Sequence, residues 1–172
     1  MTPIKPAPPE VDDDLVEAFL TASRALVGVA VRSLAAEAPD ITLPQHRALV
    51  LLASRGPQRM ADLATLLGVN SSTATRHCDR LQRRALISRD RSPDDGRAVQ
   101  VSLTEAGHRL VRQVTQARRT EISQILQAMP RGSGRQLLTA LRSFAEAAGE
   151  VPEQHWSLGW GTVPAGEAGD GR

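Results

Sequence analysis

The sequence is poor in rings. It has two Phe, two Trp and no Tyr, so aromatics are 2% of its 172 residues. A core must therefore be assembled from Leu, Val, Ile and Ala, which suits helix packing. The same scarcity leaves no ring cluster on which bases could stack, so single-stranded nucleic acid is a poor partner. Cysteine is scarcer still: Cys78 stands alone, which excludes an internal disulfide and fits a reducing compartment. No apolar run approaches the ~20 residues that span a bilayer, and the start lacks the apolar core of a signal peptide. The expectation is a cytoplasmic protein with no membrane partner. Catalytic patterns are missing as well: no phosphate-cradling Gly-rich loop, no nucleophile elbow, no HExxH. His46, His77, His108 and His155 are scattered, without a close His/Cys/Glu grouping for a metal. Neither an enzyme, a metal site nor a cofactor is expected.

What the chain does have is a good share of aliphatic residues and an uneven charge. Hydrophobic residues make 41% and charged residues 23%, the balance of a soluble globular domain. The formal net charge is only +2, so the position of the charge matters more than its sum. Glu10, Asp12, Asp13, Asp14 and Glu17 make the start acidic. Between Ser71 and Leu103 seven arginines (76, 80, 83, 84, 89, 91, 97) face four aspartates (79, 90, 94, 95), a local net of +3. A local basic patch attracts polyanions even when the total is modest. Lys5 is the only lysine among the 21 basic residues.

Capping residues and periodicity divide the chain. Residues 1–11 carry four prolines and read as a disordered arm. Carboxylates at 12–14 can start a helix by accepting from free N–H groups and facing its positive end. Its apolar positions Leu15, Phe19, Ala22, Leu26 and Val29 step by four and three, and Val16, Leu20, Val27, Val31 and Leu34 widen the stripe. That face is broader than one covering layer needs, which fits a central core helix or one shared with a second subunit. Pro39 ends the region. Thr42-Leu-Pro-Gln45 has the spacing of a capping box and opens a helix that stops near Gly56-Pro57. A short helix spans about Met60 to Leu67 with Gly68 as its stop, and Asn70 caps a fourth that runs to about Arg84. Leu86-Ile87 starts one strand, and Val99, Val101 and Leu103 alternate along another. Pro93 and Asp95-Gly96 supply the turn between them. Thr104 caps a helix of about 25 residues, and a last helix carries Leu137, Leu138, Leu141, Phe144 and Ala145. From 151 to 172 the chain is rich in glycine and small residues, with Trp156 and Trp160 as its only bulk, and reads as a disordered tail, the alternative being a tail folded back onto the body.

The fourth helix and the hairpin after it carry the most specific chemistry. With Val69, Ala74, Cys78 and Leu81 inward, Ser71, Ser72, Thr75, Arg76, Asp79, Arg80 and Arg83 are free to point outward. Short hydroxyls at a helix N-terminus approach phosphates and base edges closely, and the helix dipole favours anions there. An arginine one turn on can take guanine O6 and N7 in a bidentate pair. Such a helix fits the major groove. Alone it is more often an ordinary solvated face with a good cap. The hairpin adds weight, because Arg89, Arg91 and Arg97 are expected to project from it, and arginine enters a narrow minor groove well. Asp95, two residues from Arg97, can hold its guanidinium.

Three stretches now carry a family resemblance: LPQHRALVLLASRGP, then ADLATLLGVNSSTATRHCDRL, then LISRDRSPDDGRAVQVSLTEAG. Together, from Thr42 to Gly107, they resemble the MarR (multiple antibiotic resistance regulator) family of bacterial transcription factors, and the flanking helices extend the likeness over roughly 13–148. The resemblance implies a mainly α fold with a small β-hairpin wing. A winged helix-turn-helix DNA-reading lobe (about 57–104) would sit between dimerisation helices (about 12–37 and 105–149), all within one domain, 12–150. It implies a homodimer on a palindromic operator of double-stranded DNA, acting as a repressor and released by an apolar or aromatic small-molecule effector. The reading helix falls on Asn70–Arg83 and the wing Asp-x-Arg on Asp95-Gly96-Arg97. DNA contacts are thereby assigned to Ser71, Ser72, Thr73, Thr75, Arg76, Arg80, Arg83, Arg91, Asp95 and Arg97. Dimer contacts are assigned to Leu15, Phe19, Leu26, Leu138, Leu141 and Phe144. Where this chain has Ala85, family members usually have Gly; a left-handed residue there would cost roughly 1 kcal/mol. Cys78 stands where an aliphatic residue is usual and is a possible redox site; some relatives sense peroxide through a cysteine in the first helix, which here has none. Two alternatives stay open: a winged-helix module that meets an acidic protein without reading DNA, and a redox-responsive regulator using Cys78.

Overall fold

The computed structural model describes residues 12–91, 99–130 and 132–156. Its elements follow from the caps. Asp12 accepts from the Asp14 backbone N–H at 3.0 Å and opens α1, Asp13–Glu37. Both halves of the capping box form at α2, Leu43–Arg55: the Thr42 hydroxyl accepts from Gln45 N–H, and Gln45 Oε1 accepts from Thr42 N–H. Helix α3, Met60–Leu67, ends at the left-handed Gly68. Asn70 Oδ1 accepts from Thr73 N–H at 2.8 Å and starts α4, Ser71–Arg83. Thr104 accepts from Gly107 N–H at 3.1 Å and starts α5, Glu105–Gln127. Helix α6 spans Gly134–Ala147.

A small antiparallel sheet lies beside α4. The hairpin strands β2, Ile87–Arg91, and β3, Val99–Leu103, pair with Arg89 opposite Val101. A third strand was not expected: β1, Gln58–Arg59, pairs with the other edge of β3, giving the order β1-β3-β2. Order α1, α2, β1, α3, α4, β2, β3, α5, α6 is a winged helix-turn-helix flanked by long helices, as the sequence implied.

The core is aliphatic, as the shortage of rings requires. Leu49, Leu63, Leu81, Val29, Val101, Val111 and Val114 are its largest fully buried side chains, joined by Cys78. Only the last third of α1 enters it, through Val29, Ser33 and Leu34. The rest of the broad stripe is uncovered in the protomer: Leu15, Val16, Leu20, Leu26, Val27 and Val31 are exposed, and so are Leu138, Leu141 and Phe144 of α6. Phe19 stacks on Phe144 with ring centroids 4.6 Å apart, so the two apolar faces adjoin.

The end of the chain departs from expectation. A disordered tail was expected from 151, yet Val151–Trp156 lies against the body. Glu153–His155 form a 3₁₀ turn, Trp156 packs at the edge of the core, and its indole N–H donates to Val151 O at 2.8 Å. Arg119 of α5 pairs with Glu153 at 2.8 Å. The composition beyond 156 masked this order; a ring that finds an apolar edge and an acid that finds an arginine outweigh a weak local signal. Trp160, the remaining tail and the arm 1–11 lie outside the described residues. No helix among the described residues is long and apolar enough to cross a membrane.

Candidate nucleic-acid interface

Helix α4 presents its polar face to solvent because its apolar residues are few and aligned. Ala74, Cys78 and Leu81 are fully buried. Successive residues turn by about 100°, which sets Ser72, Arg76, Asp79 and Arg83 opposite that seam. Arg80 and Thr73 flank them on one side, Ser71 and Thr75 on the other. Ser71, Ser72, Arg76, Arg80 and Arg83 are exposed; Thr73 and Thr75 are half-buried. The hydroxyls are partly committed. Ser72 donates to Asn70 Oδ1 at 2.9 Å, Thr75 donates to Ser71 O at 2.8 Å, and Thr73 accepts from Arg76 at 3.1 Å. Arg76 is therefore laid toward the N-terminal turn, beside the positive end of the dipole. Arg80 and Arg83 make no ion pair among the described residues.

Arg91 ends β2; Asp95 and Arg97 fall within 92–98, outside the described residues. Arg89 does not project from the hairpin as expected. Its side chain turns back under α4, 20% exposed, and pairs with Asp79 Oδ1 at 2.7 Å while donating to Thr75 O at 3.3 Å. The signal was available. Side chains alternate along a strand, so Arg89 shares a face with Ile87, which is buried. A charge on that face is retained only with partners, and Asp79 and Thr75 supply them.

Cys78 is fully buried, and burial pushes its thiol pKa up, while the charge of Arg89 and its hydrogen bond work the other way. A sensing thiol needs access and thiolate character; burial removes the first and works against the second. His46 is a second buried titratable group. Burial, with the Arg118 charge behind it, lowers its pKa to about 4.

The C-terminal end of α4 is closed by a left-handed residue. Ala85 has φ 54°, Leu86 N–H donates to Leu81 O at 3.0 Å and Ala85 N–H to Gln82 O at 2.8 Å. This is the Schellman pattern, with alanine where glycine is usual. The turn is then tied to the next helix: the Thr104 hydroxyl donates to Ala85 O at 2.5 Å, and Thr104 N–H donates to Leu86 O at 3.1 Å. Gly107 lies so close that a Cβ there would sit 2.1 Å from Leu86 O.

Comparison with known proteins agrees with this geometry. The MarR family model matches residues 41–99. The crystal structure of RV1404 from Mycobacterium tuberculosis is 43% identical with TM-score 0.78, over 84% of this chain and 99% of that one. Among curated proteins, the uncharacterized HTH-type transcriptional regulator YfiV of Bacillus subtilis (strain 168) is 34% identical over 73 residues, 42% of this chain and 46% of the relative. The chain thus spans about half the length of the curated relatives it matches. A variant of S. aureus MepR bound to an oligodeoxyribonucleotide shares the fold, with TM-score 0.57 and 22% identity over 81% of this chain and 99% of that one. The chain belongs to the MarR family.

Proposed function

We propose that this protein is a DNA-binding transcriptional regulator, a homodimer that reads a palindromic operator and represses until a small apolar or aromatic effector releases it. The observation that carries the reading is the outer face of α4. A capped helix with free N–H groups, exposed Ser71 and Ser72, and Arg76, Arg80 and Arg83 on one side offers both phosphate and base contacts. A relative of the same fold bound to an oligodeoxyribonucleotide supports it. The dimer is supported by the adjoining bare faces of α1 and α6, where Leu15, Leu26, Leu138, Leu141 and Phe144 are all exposed. A contiguous apolar surface of that kind marks a contact site. Two copies related by a two-fold axis would set their half-sites about one helical turn apart.

The test is fluorescence anisotropy at matched salt, using duplex DNA from upstream of the protein's own gene. Sequence-selective binding is expected, with Arg76→Ala weakening it by roughly 1–3 kcal/mol and Arg97→Ala weakening it as well. Wild-type protein that stays dimeric and shows no selectivity even at low salt would remove the assignment.

A further inference from the structure

The most exposed side of α4 carries one acidic group, Asp79, at a position where phosphates would repel it. The chain keeps it there and gives it a dedicated partner from a different element. Arg89 of β2 reaches Asp79 Oδ1 at 2.7 Å, and it is too deeply covered, at 20% exposed, to serve as a phosphate contact itself. The same nitrogen, Arg89 Nη2, also donates to Thr75 O, and the guanidinium hydrogen-bonds the Cys78 thiol, so it is held against one edge of α4, while its buried Nε finds no partner among the described residues. Asp79 meanwhile stays 48% exposed. It borders an open concavity of about 390 Å3 lined also by Gln82 and Arg83. The outcome is a carboxylate with one oxygen fixed, its charge offset, and space before it on the outer side of the helix.

We infer that Asp79, held by the positioning residue Arg89, is a specificity-determining residue that accepts a hydrogen bond from the N4 amino group of a cytosine in the major groove. The inference rests on the DNA-reading function proposed above and names one base for one side chain. Three physical points support it. An ionised carboxylate only accepts, and in the major groove the exocyclic amino group of cytosine is the donor that Asp or Glu reads. Guanine offers N7 and O6 at the same place, two acceptors that a carboxylate repels, so discrimination arises from the wrong pair as well as the right one. Pairing with Arg89 removes most of the penalty that a bare carboxylate would meet among phosphates, without occupying its second oxygen. Asp79 follows Arg76 by three positions, so the two are neighbours on one helix face and would address nearby base pairs.

The experiment starts by selecting duplexes from a random pool with the wild-type protein. Single-base-pair substitutions of the selected operator are then measured by anisotropy at matched salt, for wild type, Asp79→Asn and Arg89→Gln. Wild type is expected to prefer C·G at one position per half-site by roughly tenfold. Asp79→Asn should lose that preference and shift it toward A·T, because an asparagine amide both donates and accepts. Preferences elsewhere and the salt slope should stay as they are, since no phosphate contact is removed. Arg89→Gln should lose the same single preference. Should that variant fail to fold, Asp79→Asn alone decides, since the replacement is isosteric and the site half-exposed. Identical preferences of wild type and Asp79→Asn at every position would overturn the inference. A wild-type selection that retrieves no common sequence overturns the DNA-reading function first and this inference with it.

Discussion

Ala85→Gly should make the protein more stable, although alanine to glycine ordinarily has the opposite effect. Ala85 sits at φ 54°, where its Cβ crowds the following carbonyl at about 1–2 kcal/mol. The conformation cannot relax, because three hydrogen bonds depend on it: Leu86 N–H to Leu81 O, Ala85 N–H to Gln82 O, and the Thr104 hydroxyl to Ala85 O. The methyl group is exposed, so its removal opens no cavity. Against the relief stands the greater freedom of glycine in the unfolded chain, roughly 0.5–1 kcal/mol. The net is a gain of about 0.5–1 kcal/mol, which is ~1–4 °C in Tm for a domain of this length. Urea unfolding at a fixed protomer concentration measures it, as a rise in midpoint with unchanged slope. A midpoint equal to or below wild type would show that the turn is not strained, and would refute the argument.

Three other predictions follow from single contacts. Gly107→Ala should destabilise by about 3 kcal/mol or more, at the upper range for overpacking, since the new Cβ would lie 2.1 Å from Leu86 O; a thermal melt matching wild type would contradict it. Phe144→Asp, on a ring that is 53% exposed, should yield a folded monomer by sedimentation, whereas a wild type that is itself monomeric would remove the proposed dimer. His46 has its pKa lowered from 6.5 to about 4 by burial and the Arg118 charge, so the unfolded chain binds a proton that the native state refuses. Stability from this group is therefore present above pH 6.5 and lost as pH falls toward 4, by up to ~3 kcal/mol. His46→Gln should flatten that fall in urea midpoints, and parallel pH profiles for the two proteins would count against it.

Helix ends were legible because they are written in adjacent residues. Asp12, Thr42 with Gln45, Asn70 and Thr104 each cap the helix they precede, and Gly68 stops α3 in the left-handed form. The outward set on α4 was legible for the same reason: Ala74, Cys78 and Leu81 are the only apolar residues on a helix otherwise polar. What escaped depends on distant partners. Strand β1 is two residues, Gln58 and Arg59, without alternation of its own, and exists only where β3 offers an edge. Val151–Trp156 is ordered by Arg119 and the core margin, both far away in sequence. Arg89 looks like a projecting arginine by charge alone, and only strand parity with Ile87 turns it inward. The left-handed turn at Ala85 is implied only by the resemblance; nothing local to it demands positive φ.

The junction at Ala85 also limits how α4 can move. Helix α4 ends in a turn whose carbonyls, Ala85 O and Leu86 O, are both bonded by Thr104, the cap of α5. Gly107 presses the first turn of α5 onto the same backbone. On the other side Arg89 ties β2 to α4 through Asp79 and Thr75. Reorienting α4 within its lobe would break several of these bonds at once, while moving the lobe together with the start of α5 breaks none of them. Packed elements of this kind shift as units rather than deform. If the proposed dimer and effector hold, release of DNA would then come from changing the separation of two intact lobes, and α1 and α5, which pack along each other and carry the Arg32–Glu121 pair, would be the elements to move.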